Sequence, residues 1–280
     1  LNMPFDTNTS TNTTGAIKDY STFGNDGTLG ATQSEVPTWT TGKIGAGYLF
    51  DGTDDYIDVP GTPFLDLREK ATISLWVKVT DNSTARNIFK TYEGRDKFLW
   101  TQNGTFKASV YDGSRTSIIS GGSVDNQWHH LAYIWNRADG GIYLYVDGQL
   151  VASNETLSWT EVGTEEPTDF GDYRIGWDNR PEQFNFQGYM DNILLFNRSL
   201  SQEQIQTMYE AGIANHSVRT MLSNETSVGE NWTVMVTPND GLLDGTSVLS
   251  NGLVILEGPN KPPSVSNVLL NSSLDQNQTD

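Results

Sequence analysis

Carboxylates and imidazoles are the side chains in this sequence that could move protons or hold a metal, and their spacing limits what they can do. Glu161, Glu165 and Glu166 crowd a stretch rich in Gly, Thr and Pro. Glycoside hydrolysis needs two carboxylates held about 5 to 10 Å apart across the scissile bond, and a loop of this composition reads instead as a solvated acidic segment. His129 and His130 are adjacent in a run of strand character, so they point to opposite faces and cannot chelate one ion together. His216 is remote in sequence. Asp51, Asp54 and Asp55 form an acidic cluster in which Asp51-Gly52 reads as a hairpin turn. No Gly-x-Ser-x-Gly elbow, phosphate-cradling loop or His-Glu-x-x-His pair occurs. The absence of cysteine removes thiolate nucleophiles, thiolate metal sites and disulfides. The expectation is a protein without catalytic residues.

Whatever chemistry remains must be positioned by β-structure. Ile73, Leu75, Val77 and Val79 alternate with Ser74, Trp76 and Lys78, and Ile142, Leu144 and Val146 alternate with Tyr143 and Tyr145, the period-2 pattern of half-covered strands. Asp-Gly turn signals punctuate such runs at Asn25-Asp26-Gly27, Asp51-Gly52, Asp112-Gly113, Asp147-Gly148 and Asn239-Asp240-Gly241. One helix is signalled near 201 to 211. Ser201 is placed as N-cap with Gln204 closing a capping box, Leu200 and Ile205 as a hydrophobic staple, and Gly212 as a left-handed stop. Ile205, Met208 and Tyr209 make its apolar stripe.

The net charge of -18 and pI near 4.4 exclude DNA, RNA and anionic lipid as partners, since each needs a basic surface to displace counterions. No apolar run approaches the roughly 18 residues needed to span a bilayer, so no membrane insertion is expected, and no signal peptide is visible. Leu1 falls inside what reads as the first strand, as in a processed product or an excised segment. Eleven Asn-x-Ser/Thr sequons occur, at Asn8, Asn12, Asn82, Asn103, Asn154, Asn197, Asn215, Asn224, Asn231, Asn271 and Asn277. With 23 Asn in the chain and roughly one residue in five Ser or Thr, chance supplies about four or five. The excess points to a secreted, N-glycosylated protein, extracellular at a cell surface or in a filament. Glycosylation without cysteine points to an archaeal host.

Tyr48-Leu-Phe-Asp-Gly-Thr-Asp-Asp-Tyr-Ile-Asp-Val59, Ala71 to Val79, Trp128 to Trp135, Ile142 to Gly148 and the strand-plus-helix run Gly188 to Gly212 occur in the order and spacing of the laminin-G-like, concanavalin A-like jelly-roll family, which residues 1–212 resemble. The resemblance implies an all-β sandwich of two antiparallel sheets with one short C-terminal helix. It also implies extracellular binding or adhesion, or a place beside a glycosidase. The Glu-x-Asp-x-x-Glu strand of laminarinase-type relatives is absent. The family often carries one structural calcium, and hard oxygen ligands are plentiful here. Asp191, at the edge of an apolar strand, is the best candidate, with Asp19, Asn25 and Asp26 as the opposing ligands that the resemblance implies. The alternative is that Asp191 caps backbone amides. Trp76, Tyr111, Tyr143 and Tyr145 share a face on which aromatic rings could stack on sugars, or else they fill the second side of the sandwich.

Composition changes after Gly212. Residues 213–257 read as a small, incomplete β module with strands at Trp232 to Thr237 and Val248 to Leu256. Asn231 to Gly241 resembles the closing half of immunoglobulin-like repeats of archaeal and bacterial surface proteins, with too few strands for a closed sandwich. Residues 258–280 give a Pro-rich linker and one orphan strand, Ser264 to Ser273. That strand either starts another repeat or is donated to a neighbouring copy by strand addition. The expected role is a non-catalytic structural or adhesive surface protein, whose partners are copies of itself or neighbouring repeats and, in the lectin alternative, surface glycans. A further alternative is an accessory domain of a polysaccharide hydrolase.

Overall fold

The computed structural model describes residues 1–21, 23–61, 69–91, 97–111, 116–157, 173–177, 184–215, 227–236, 246 and 248–256. The chain divides into two compact units, Leu1–Val218 and Arg219–Asp280.

The first unit is a sandwich of two antiparallel sheets. Its strands are β1 (Asn2–Met3), β2 (Thr28–Leu29), β3 (Thr38–Thr41), β4 (Ala46–Asp51), β5 (Ile57–Val59), β6 (Lys70–Val79), β7 (Arg86–Thr91), β8 (Lys97–Gln102), β9 (Thr105–Tyr111), β10 (Thr116–Gly121), β11 (Trp128–Asn136), β12 (Gly141–Val146), β13 (Gln149–Asn154), β14 (Tyr173–Ile175) and β15 (Gln187–Phe196). One sheet runs β13-β12-β11-β6-β15-β4-β3, with β1 also on β15, and the other runs β10-β9-β8-β7-β14-β5-β2. The period-2 residues face inward as expected. Ile73, Leu75, Val77 and Val79 meet Ile142, Leu144 and Val146 in the main core, together with Leu99, Ala108, Val110 and Ile175 from the opposite sheet. Burying such side chains is worth roughly 1.5–3 kcal/mol each.

Two turn expectations resolve differently. Asp147-Gly148 is the β12–β13 hairpin turn, with φ of +52° and +77°, the pair of left-handed residues a two-residue hairpin demands. Asp51-Gly52 is not a hairpin. β4 pairs with β3 and β15 in one sheet, while β5 pairs with β2 and β14 in the other, so this turn crosses the sandwich. Asn103-Gly104, noted in the sequence only as a sequon, is the β8–β9 hairpin turn, with φ of +54° and +73°. Asp112-Gly113 and Asn239-Asp240-Gly241 lie outside the described residues.

Helix α1 (Gln202–Ile213) begins as predicted. Ser201 Oγ accepts the Gln204 amide, Gln204 Oε1 accepts the Ser201 amide at 2.8 Å, and Leu200 and Ile205 are buried together. Its end corrects the expectation. Gly212 is helical, and the left-handed residue is Asn215 at φ +56°. A Cβ on Gly212 would lie 2.3 Å from the Trp76 ring, so glycine is needed there for close packing and not for a turn.

In the second unit β16 (Asn231–Trp232) pairs with β19 (Leu253–Val254), and β17 (Met235–Val236) with β18 (Val248–Leu249), all antiparallel. The two expected strands are there as short pieces. The orphan strand, and with it Asn271 and Asn277, lies outside the described residues, as does Asn224.

Candidate functional site

The two outer faces of the sandwich have different contents. On the eight-stranded sheet, the aromatic face expected to meet sugars lies beneath α1. Trp76 is 3% exposed. Its ring stacks on Tyr209 at 5.9 Å, contacts His130 at 5.3 Å and carries the Lys43 ammonium at 5.1 Å. Tyr145 is buried with Ala132, Ile134, Leu200, Ile205 and Met208, and Tyr143 packs against them. The reading of Trp76 and Tyr145 as an open platform is therefore corrected, because the apolar stripe of α1 needs this surface for its own burial. Tyr111 ends β9, and its side chain lies outside the described part.

The outer face of the seven-stranded sheet carries a polar row that sequence reading missed. Strand register aligns Asp58 with Arg174 and Arg174 with Lys90, then continues through β8 to Ser109 and Ile118. Asp58 accepts two hydrogen bonds from the Arg174 guanidinium, the Nη2 one at 2.8 Å. That guanidinium lies 4.4 Å from the Tyr56 ring centre and 4.3 Å from the Trp177 ring centre. Asn87 Nδ2 donates to the Trp177 carbonyl at 2.6 Å. Lys90 is 1% exposed, whereas Trp100 and Trp177 are half-buried. A bidentate, aromatic-stacked Arg is a rigid platform that no Lys could reproduce. The signal for it was the alternation Tyr56-Ile57-Asp58-Val59, visible in sequence only once β14 is placed beside β5.

At the edge of this face, Asp51, Asp54 and Asp55 bring carboxylate oxygens within 4.8 Å of one another. Asp55 accepts the Asp51 amide at 2.8 Å, and Asp51 accepts that of Thr53 at 2.7 Å, so these two cap the crossover turn. Burial, opposed by the Asp51 amide and reinforced by the Asp51 and Asp54 charges, pushes Asp55 up to about 6. Glu161, Glu165 and Glu166 lie outside the described residues.

Asp191 sits within β15, a central strand, and is fully buried. Its Oδ2 accepts the amides of Lys43 and Ile44, both at 2.8 Å, which is the capping role weighed for it in sequence. Burial raises its carboxyl to about 7 against the pull of those amides, and the Asp6 charge raises it further. Asp6 accepts the Ala46 amide at 3.0 Å, so two carboxylates hold one turn. Asp19, Asn25 and Asp26 come together elsewhere. Asp19 accepts from the Asn2, Ser21 and Asn25 amides and from the Ser21 hydroxyl, while Asp26 accepts from the Asp19 amide and the Lys18 ammonium. A buried carboxylate beside a like charge is a setting that a hard cation would relieve, and Asp191 with Asp6 shares it. Asp19 and Asp26 instead bond within their own segment and to Asn2 and Lys18.

The two adjacent histidines face opposite ways, as predicted. His129 Nδ1 lies 2.8 Å from Asp147 Oδ2, and its Nε2 lies 2.9 Å from Asp125 Oδ1. The Asp147 hydrogen bond, outweighing partial burial and joined by that of Asp125, raises its pKa. His130 is buried against Trp76, shares a 2.8 Å hydrogen bond with Ser74, and is lowered to about 4 by desolvation.

A family model described as Laminin_G_3, the concanavalin A-like lectin/glucanases superfamily, matches residues 51–206. Among curated proteins, the trypomastigote decay-accelerating factor of Trypanosoma cruzi is 35% identical over 65 residues, which is 23% of this chain and 65% of that protein. Among solved structures, the binding domain of paraclostridial mosquitocidal protein 1 superposes with a TM-score of 0.57 at 13% identity, covering 71% of this chain and 50% of the other. The ligand binding domain of botulinum neurotoxin serotype D, solved in complex with N-acetylneuraminic acid, gives 0.52 at 16% identity, covering 75% and 52%. At these identities the structural likeness concerns the fold. The chain spans about half the length of those solved structures and under two thirds of the curated relative.

Proposed function

This chain belongs to the concanavalin A-like lectin/glucanases superfamily, and on that footing we propose that it is a non-catalytic, N-glycosylated extracellular surface protein with a structural and adhesive role. The observation that carries this reading is where the sequons lie. Asn8, Asn12, Asn82, Asn103, Asn197, Asn215 and Asn231 are exposed and Asn154 is half-buried, so no described sequon falls in the core. An accidental scatter of 23 asparagines would be expected to bury some sequons, as Asn25, Asn87 and Asn185 are buried. The carboxylates and histidines support the non-catalytic part, because those described above cap turns, pair with Arg174 or clasp one another. Asp191 with Asp6 is the proposed calcium site, where a divalent cation would relieve the repulsion of two partly desolvated carboxylates. We read the second unit, with its two short antiparallel strand pairs, as part of an immunoglobulin-like repeat.

Peptide-level mass spectrometry of the native protein tests this directly. Glycans on several of the exposed sequons are expected, together with no turnover of any polysaccharide. A bare peptide mass, or hydrolysis that survives repurification, would remove the proposal.

A lectin reading is favoured by one observation, the half-buried Trp100 and Trp177 flanking Asn87 and Arg174. Its site would be the outer face of the seven-stranded sheet, not Trp76 and Tyr145. Glycan-array binding abolished by Trp177→Ala and retained in Tyr143→Ala would establish it over a purely structural role.

A further inference from the structure

The two sheets meet along one rim, where β10 of the seven-stranded sheet lies beside β13 of the eight-stranded sheet. This seam is tight at one end. A Cβ on Gly121 of β10 would lie 2.8 Å from the Val151 side chain and 2.9 Å from its carbonyl, and one on Gly122 would lie 2.7 Å from Val146. At the other end the seam is held by Asn154, the last residue of β13. Its Oδ1 accepts the Thr156 amide at 3.0 Å and the Thr156 hydroxyl at 2.9 Å, and its Nδ2 donates to Ser117 Oγ on β10 at 3.0 Å. A backbone amide can only donate, so the carboxamide oxygen must be the atom facing Thr156 and the nitrogen the one turned to Ser117. Ser117 is buried and Asn154 half-buried.

Asn154 is also a sequon asparagine, and Thr156 is the hydroxyl residue of that sequon. Other sequons have a different setting. Asn8 and Asn103 are exposed, and among the described residues their carboxamides make no hydrogen bond. Asn12 and Asn82 are exposed and held at the nitrogen alone, by the Ala31 and Val124 carbonyls.

N-glycosylation replaces one Nδ2 hydrogen with the anomeric carbon of a sugar. The nitrogen–carbon bond forms, the nitrogen gives up a proton, and the bond from the sugar to its diphosphate carrier breaks. The product is bulky and has to lead straight into water. We propose that Asn154 stays bare and serves as a clamp across the β10–β13 seam, while glycans are carried by the unbonded carboxamides of Asn8 and Asn103. A sugar on Asn154 would turn Nδ2 off Ser117 and would have to leave through a seam that at Gly121 has no room for a methyl group. At Asn8 and Asn103 it breaks nothing, and at Asn12 or Asn82 it costs at most one exposed bond. The choice of acceptors rests on the glycoprotein reading above, whereas the clamp does not.

Two measurements test this. Site-resolved glycopeptide analysis of the native protein should find sugar on Asn8 and Asn103 and only unmodified peptide at Asn154. In protein made by a host that does not N-glycosylate, Asn154→Ala should lower the thermal midpoint by about 2–4 °C, and adding Ser117→Ala should lower it little further, since both changes remove the same bond. Asn8→Gln and Asn103→Asp should leave the midpoint in place. A glycan on Asn154, or a midpoint unmoved by Asn154→Ala, would overturn the clamp. Glycans that spare Asn8 and Asn103 while occupying other sequons would overturn the choice of acceptors. A native protein bare at every sequon would remove the glycoprotein reading and the acceptors with it, and the clamp would then stand or fall by the midpoints.

Discussion

The sandwich has two outer faces built from the same alternating strands, yet one is closed by a helix and the other carries an ionic row. Over the eight-stranded sheet, Trp76 and Tyr145 point outward from the main core and are buried by Ile205, Met208 and Gly212 of α1. Over the seven-stranded sheet, the equivalent direction is taken by Asp58, Arg174 and Lys90. A side chain's outward position thus says little about its exposure. On the eight-stranded side the cover is the apolar stripe of α1, whereas Arg174 and Lys90 are buried on the other face with no helix over them among the described residues.

The closed face is the more costly to disturb. Ile205→Ala removes a fully buried side chain from the contact between α1 and the sheet and should destabilise the first unit by about 2–5 kcal/mol, measured by urea unfolding. Gly212→Ala should act in the same direction by pushing α1 off Trp76. If Ile205→Ala leaves the midpoint unchanged, the helix does not hold that face closed. On the ionic face, Arg174→Met strands the partly exposed Asp58 carboxylate and removes the guanidinium from the Tyr56 and Trp177 rings. A loss of about 1–3 kcal/mol is expected, and Arg174→Lys should recover little of it, because the ammonium cannot make both hydrogen bonds or lie flat against the rings.

Ionisation sharpens the contrast further. Asp191 has a folded pKa of about 7, above its ordinary value of 3.8. The folded state therefore binds this proton more tightly than the unfolded chain, and the associated stability is present at low pH and lost as pH rises from about 4 through about 7. Asp191→Asn keeps an oxygen for the Lys43 and Ile44 amides and should flatten that dependence in the presence of chelator. Added calcium should raise the melting temperature of the unaltered protein at neutral pH and leave Asp191→Asn unmoved. Melting curves that coincide with and without chelator would make Asp191 a backbone cap alone. The smallest effect belongs to His129, whose raised pKa means that stability is fully present below its ordinary value of 6.5 and is lost as pH rises through the higher folded value. Asp125 is more than half exposed, so solvent screening keeps its share of this effect small. His129→Gln should remove this step from the pH profile.

Much of the fold was legible in the residues because its signals are local. Period-2 alternation placed Ile73 to Val79 and Ile142 to Val146 on the inner faces, and Ser201 with Gln204 marked the start of α1. Signals that depend on a distant partner were misread. Asp51-Gly52 has the composition of a hairpin turn but joins two sheets, since turn chemistry does not record which sheet the next strand enters. Gly212 looked like a helix stop, yet its glycine answers to Trp76, far away in sequence. For the candidate site, Asp191 stands out in the sequence by its setting in an apolar strand, and the capping of the Lys43 and Ile44 amides was the alternative weighed for it. Its companion Asp6 and the Arg174 platform were not found, because nothing near them in sequence hints at the pairing.

The sequence by itself determined an all-β class, strand faces, the capped helix, the acidic excess and the excess of sequons. These follow from backbone geometry and the hydrophobic effect acting over a few residues. Tertiary structure alone decided that the aromatic face is closed, that Asp58 and Arg174 meet on the other, and that Asp191 is deep enough for burial to raise its carboxyl to about 7. Each of these depends on which segments, far apart in the chain, exclude water from the same place, and that is settled only when the sheets have packed.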